Sequence, residues 1–372
     1  MTDAEGRSPE PDPTPPPQPP PPQPPPPGPE IPLTSTSRLL ATSFDLLGRS
    51  AADMRRASFY IGLIVLGTVG PLALGSWGLL VVEMDSGFAA VEAQFGGAGN
   101  PVIAGLGVLA FVGLVVGSVE SRTLAMTVLG GRMIDRPVST RRALARSRRM
   151  FWSAIAASFI AGIPVFLVQL IVATLITPTS PEAIEAFEAS SVITSTVVTA
   201  LIGGPFAYVL AGVVLGDVDP LEALRRSFQV FRARKLAAAI VVVFETITAL
   251  LVLQGVDTGL GIVLRLFDAL GLGPQAGPIG LAATTIGVVV VTFAFGTLLF
   301  TVMALTVAPQ VVMFVGLTHA THGLDRVRPG GPDDPDIGRA GRPRFRWLTR
   351  SMLVGFALGA VGLAATLTTV AA

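Results

Sequence analysis

The sequence contains no cysteine. That excludes disulfides, thiolate nucleophiles and cysteine-ligated metal, and leaves the compartment open. Histidine is nearly missing too, with only His319 and His322. Three apart, they would share one helix face, but no third histidine or carboxylate motif accompanies them. They read as an exposed helix end, and no metal or other cofactor is expected. Lysine occurs once, at Lys235; the other basic residues are arginine. Charged residues make up 14% of the chain, where a soluble domain has about 25%. No Ser/His/Asp set, carboxylate pair or nucleotide motif stands out, so the chain is expected not to be an enzyme. Gly130-Gly131 and Gly203-Gly204 lack the flanks of a phosphate loop and suit close helix packing instead. The polar N-terminus has no apolar core of the kind a cleavable signal needs, so the first span is expected to serve as an uncleaved targeting signal.

What the chain does have is apolar length. Hydrophobic residues make up 51% of the 372, and several runs reach the roughly 20 residues that cross a bilayer. The expected fold is all-α: a polytopic membrane bundle of six or seven transmembrane helices. Residues 1–34 precede it as a low-complexity tail, with sixteen prolines among the first 32 residues. Such a segment is expected to be disordered and polyproline-II-biased, either a ligand for a proline-binding protein or a plain solvated tail.

The expected spans are about 57–82, 102–129, 150–177, 191–216, 236–256, 279–308 (continuing past Pro309 toward Leu317) and 351–370. Residues 35–317 form a six-span domain, 318–347 a polar cytoplasmic loop, and 348–372 carry the seventh span. Segment 257–278 reads as a longer loop at the outer interface or dipping into the bilayer. Pro71, Pro164, Pro205 and Pro309 are expected to kink their spans, since each removes a backbone donor. Of 26 basic residues, only Arg265 falls in a loop assigned outside. The positive-inside rule then puts the N-terminus in the cytoplasm of a plasma or inner membrane, and seven spans put the C-terminus outside.

A basic arm precedes several spans. Asp219 to Arg232 has an N-cap residue, a proline at the first helical position and Glu222 where a capping-box acid would reach back. Leu221, Leu224, Phe228 and Phe231 share one side of that helix; Glu222, Arg225, Arg226, Gln229 and Arg232 share the other. Its core recurs: Ala143-Leu144-Ala145-Arg146-Ser147, then Phe151, matches Ala223-Leu224-Arg225-Arg226-Ser227, then Phe231. Leu-x-Arg-Ser also stands at Leu47 to Ser50 and at Leu348 to Ser351. The pattern suggests a repeated arm-plus-hairpin unit. Arg49, Arg146, Arg148, Arg149, Arg225, Arg226 and Arg232 are expected to face anionic lipid headgroups, at about 1 kcal/mol per residue near the surface. Nucleic acid is not an expected partner.

Three charges fall inside apolar runs: Glu120, Arg122 and Glu245. A charge there costs on the order of 2.5–3.5 kcal/mol on insertion scales, so it usually faces a partner or water. Glu120 and Arg122 are near enough to a helix end to snorkel. Glu245 lies ten residues beyond Lys235, about 15 Å along a helix.

The residues Val214-Leu215-Gly216-Asp217, Ala223 to Ser227 and Phe231, with the weaker copy at Ala143 to Phe151, carry a resemblance. Over about 35–317 the chain resembles a bacterial and archaeal membrane-domain family. That family includes the membrane domain attached to some glycerophosphodiester phosphodiesterases and a group of uncharacterised inner-membrane proteins. The resemblance implies an all-helical membrane domain. The phosphodiesterase activity resides in a separate catalytic domain for which this chain has neither the length nor the residues. The proline tail and seventh span depart from the six-span pattern. Three functions follow as expectations. The first is a non-catalytic membrane protein for membrane organisation or scaffolding. The second is a transporter or lipid-handling permease with Glu245 in its path. The third is a membrane anchor for a separate enzyme.

Overall fold

The structure is a computed structural model and describes residues 38–86, 101–176, 197–199, 201–269 and 277–330. The proline-rich tail, most of the polar loop and the expected seventh span lie outside the described residues. Among those described, every regular element is helical: α1 Leu39–Arg49, α2 Ala51–Ser86, α3 Pro101–Met133, α4 Thr140–Ile176, α5 Val209–Gly216, α6 Pro220–Ala233, α7 Lys235–Ala269 and α8 Gly277–His322. Among the described residues, six helical stretches are long and apolar enough to cross a membrane: Ala51–Gly75, Gly107–Met133, Thr140–Ile171, Val197–Gly216, Lys235–Val252 and Ala282–His322.

The three arms do not share one form. α1 ends at Arg49, and α2 starts at Ala51 with only Ser50 between them. α6 is a separate helix, bounded by extended Asp219 and by Arg234 at φ −144°. The second arm is not separate at all: Thr140 to Ile176 is one continuous 37-residue helix. Nothing between Arg149 and Ile155 interrupts it, because no glycine or proline lies there and every residue accepts helical geometry.

What the arms do share is a buried stripe. Leu46, Ala143 and Ala223 occupy the same motif position and are at most 1% exposed. So are the serines four residues on, Ser50, Ser147 and Ser227. Four further, Met54 and Phe151 are buried and Phe231 packs against the core. Spacing of four keeps these positions on one helix face. The inward face of α6 is therefore centred on Ala223 and Ser227. Leu221 and Phe228, expected on the apolar face, stay 73% and 37% exposed.

The core centres on α8, α2 and α3, with α4 against α3 and α6 against α5. Small residues set the closest approach. A Cβ placed on Gly296 of α8 would lie 2.8 Å from Cα of Gly62 on α2. At the basic end, the carbonyls that close α5 need donors, since the last turn of a helix leaves them unpaired. Arg146 donates to the Val214 oxygen from Nε at 3.2 Å and Nη2 at 2.9 Å. The Arg328 N–H donates to the Leu215 oxygen at 2.6 Å. Asp217, in the left-handed region at φ 51°, stands 3.7 Å from Arg146 Nη2.

One expectation is corrected by the helices themselves. The 257–278 loop is helical as far as Ala269: α7 runs on without a break for 35 residues, about 52 Å. The apolar run Ile262 to Phe267 satisfies helix as well as loop, and Gly255, Gly259 and Gly261 meet no neighbour that would force a turn. Pro71, Pro164 and Pro309 lie inside continuous helices. Only Pro205 falls at an interruption. There Gly204–Phe206 forms a 3₁₀ turn before α5 begins at Val209. Gly203 and Gly204 directly precede that proline and add local backbone freedom there.

Candidate functional site

Glu245 sits on α7, ten residues after Lys235, and Arg122 on α3, ten before Arg132. Each is about 15 Å from the basic end of its helix, so the two meet at one level. Arg122 Nη2 donates to Glu245 Oε1 at 2.7 Å. The other carboxylate oxygen takes the Gln310 amide, Nε2 to Oε2 at 3.0 Å. Arg122 Nε points at Met303 Sδ, 3.3 Å away. Met303 and Gln310 are seven residues apart on α8 and so share a face over two turns.

A carboxylate in apolar surroundings is costly unless paired and hydrogen-bonded. Here each oxygen has a donor, and the guanidinium supplies the opposite charge. The pair is not sealed off: the side chains of Arg122 and Glu245 remain 33% and 24% exposed. They look into a cleft of about 440 Å³ that lies among α3, α4, α7, α8 and the interrupted stretch before α5. Ser158 and Gln169 line it from α4, Thr199 and Gly203 from the interrupted stretch, and Thr246 from α7. Gln169 Nε2 donates to Thr199 Oγ1 at 2.7 Å. From Ser158 to Gln169 is eleven residues, about 16 Å along α4, so polar groups follow the cleft from the ion pair toward the end away from the basic arms. Phe166, Val165, Leu210 and Val242 make the wall apolar.

The exposed flank around the cleft is apolar. Only 11% of the most apolar stretch of α4 is buried and 28% of that of α7, against 56% for α2 and for α3. Trp152, Phe159, Phe166 and Leu170 stand out from α4, and Ile247 and Leu251 from α7.

The other sequence-singled residues take different places. Glu120 is fully buried two positions before Arg122 and is not part of the cleft wall. Arg146 departs from the expected surface role, since it turns inward to the end of α5. That position combines a row of orphan carbonyls with the negative end of a helix dipole, which favours a cation. Arg148 also leans on protein, with Nη2 donating to the Tyr60 hydroxyl at 2.6 Å and its guanidinium 5.7 Å from the ring centre. Arg49 pairs with Asp45 on an exposed face at 3.0 Å. Arg225 and Arg226 both pair with Glu222, at 3.3 and 3.2 Å. Arg149 and Arg232 are exposed. His322 Nδ1 is 2.6 Å from Thr321 Oγ1, and no cluster of metal-ligating side chains occurs among the described residues.

Gln310, Gln169 and Thr199 were missed from the sequence. The signal available was a polar residue inside an apolar run, clearest for Gln310 directly after Pro309. No family model, curated protein or solved structure matches this chain.

Proposed function

We propose that this chain is a multi-span membrane protein that handles lipid, admitting the polar head of an amphipathic molecule to the cleft at Arg122, Glu245 and Gln310. The observation that carries the reading is a partly open ion pair in the wall of a cleft whose outer flank is apolar. Ionisable residues at membrane depth pair with one another or face a water-filled cavity, and they mark the paths of substrates. The polar groups continuing to Gln169 and Thr199 offer successive partners to a moving head group, and the exposed faces of α4 and α7 suit acyl chains. The activity is binding and passage; no bond is broken. The arms stand at the cytoplasmic face, where exposed Arg149, Arg225 and Arg232 meet anionic headgroups. Membership of the membrane-domain family named above is part of the same proposal.

The full chain reconstituted in phospholipid vesicles is expected to speed the movement of a labelled phospholipid between leaflets. Glu245→Gln, which keeps the shape and one hydrogen bond, is expected to slow it at least several-fold while the protein still purifies as a folded species. No acceleration over protein-free vesicles would remove the reading. A second reading, a membrane scaffold, is favoured by the stripe Trp152, Phe159, Phe166 and Leu170 along α4, which a partner helix would cover. A protein co-purifying at fixed stoichiometry and shielding that stripe from labelling would support it.

A further inference from the structure

The charge of the cleft selects among lipids. Arg122 and Glu245 are the two charged residues among its described lining residues, and they are bonded to one another. The empty-handed site is thus neutral as a unit. Each partner nevertheless keeps capacity for a ligand. The bonds described use Nε and one N–H of Nη2 on Arg122, leaving the Nη1 edge. On Glu245 each oxygen accepts one hydrogen bond and has a second lone pair.

We propose that the cleft takes a zwitterionic phospholipid, with the phosphate on Arg122 and the ammonium on Glu245, in preference to an anionic one. The inference rests on the lipid-handling reading and goes further by naming the head group. A zwitterion adds one charge of each sign, so each ligand charge meets an opposite partner and the net charge of the site does not change. An anionic lipid offers only the phosphate. It leaves the site one negative charge in excess, beside a carboxylate that repels it, in surroundings where uncompensated charge is costly. A cationic head has the mirror defect at Arg122. Geometry adds to this: the phosphate and ammonium of an ethanolamine head are a few bonds apart, a span that suits two side chains already in contact. Gln310, in the same cleft wall, holds the Glu245 carboxylate through its amide, so the carboxylate is positioned when a ligand ammonium arrives. The phosphate, by contrast, has a guanidinium with a fixed planar fork, which suits phosphate oxygens.

The test is native mass spectrometry of the full chain, incubated in detergent with equimolar phosphatidylethanolamine and phosphatidylglycerol of the same chain length. The wild type is expected to retain one phosphatidylethanolamine with at least a several-fold preference. Glu245→Gln leaves a lone cation, and the preference is expected to reverse toward phosphatidylglycerol. Arg122→Gln leaves a lone anion, and phosphatidylglycerol should be excluded further. The pair of variants covers the case in which one fails to fold. The double variant Arg122→Gln with Glu245→Gln should bind both lipids without preference. A wild type that retains one lipid but favours phosphatidylglycerol, or variants that leave its preference unmoved, would overturn the head-group assignment while leaving lipid handling in place. A wild type that retains neither lipid would overturn both.

Discussion

The arm Ala143 to Ser147 and the arm Ala223 to Ser227 share a sequence and a buried face but not a fate. In the later copy the chain stops being helical at Arg234 and restarts at Lys235. In the earlier one it runs straight on for 37 residues. The difference shows which part of the repeat is structural. What recurs is the inward stripe, alanine then serine four residues later, that brings the arm close to the ends of neighbouring helices. The connection to the following helix is free to vary. The serines differ in the same spirit. Ser227 Oγ donates to the Pro205 oxygen at 2.6 Å and accepts the Tyr208 N–H at 3.2 Å, so it stitches α6 across the interruption before α5. Phe228 supports it edge-on against Phe206, ring centres 5.8 Å apart. Ser147 meets a side chain instead, the Thr123 hydroxyl of α3 at 2.5 Å. The third arm is therefore tied to the wall of the cleft, because Gly203 and Phe206 of that interruption line it; the second is tied to the core.

Proline at matched positions should separate the two arms most strongly. Ile155 and Lys235 occupy the same register after the motif. Ile155→Pro removes a helix-interior donor in α4 and should cost about 3 kcal/mol or more. Lys235→Pro falls at the first position of α7, where proline is tolerated, and should cost well under that. Denaturation of the purified protein in mixed micelles would compare them; equal losses would mean that the junction after α6 is a helix interior like that of α4. Next come Ala143→Leu and Ala223→Leu. Both should lose roughly 1–3 kcal/mol by overpacking, since both alanines are fully buried and Ala223 Cβ lies 3.0 Å from where a Cβ on Gly212 would stand. Similar losses would make the stripe the shared element, and tolerance at either site would end the equivalence. The smallest contrast is between the serines. Ser227→Ala strands a buried N–H and should cost about 1–3 kcal/mol. Ser147→Ala should cost about 0.5–1.5 kcal/mol, because Thr123 Oγ1 still donates to the Val119 oxygen at 2.9 Å. A reversed order would place the stronger tie at α3.

The helices were legible because what makes them is local. Apolar runs of spanning length and the proline that opens α6 are properties of short stretches read one at a time. The repeat was legible for the same reason, although its face was misjudged: hydrophobicity pointed to Leu221 and Phe228, while the inward positions belong to the small residues that let helices approach. Continuity was harder to see. Basic residues mark where an arm begins, but whether the helix then breaks depends on a stop signal at the junction, and none lies between Arg149 and Ile155 of α4.

Glu245 and Arg122 each stood out alone as a charge in an apolar run. Their partnership did not, because 123 residues separate them and only the packing of α7 and of α3 against α8 brings them to 2.7 Å. Gln310, the interrupted stretch before α5 and the inward turn of Arg146 likewise depend on neighbours distant in the chain. The sequence by itself determined the helical, apolar character seen among the described residues, the basic ends of the helices and the repeated motif, since propensity and hydropathy act within a few turns. Which charges pair, which face inward and where a cleft remains were decided only by tertiary structure, because a buried charge takes its partner from whatever helix packing sets beside it.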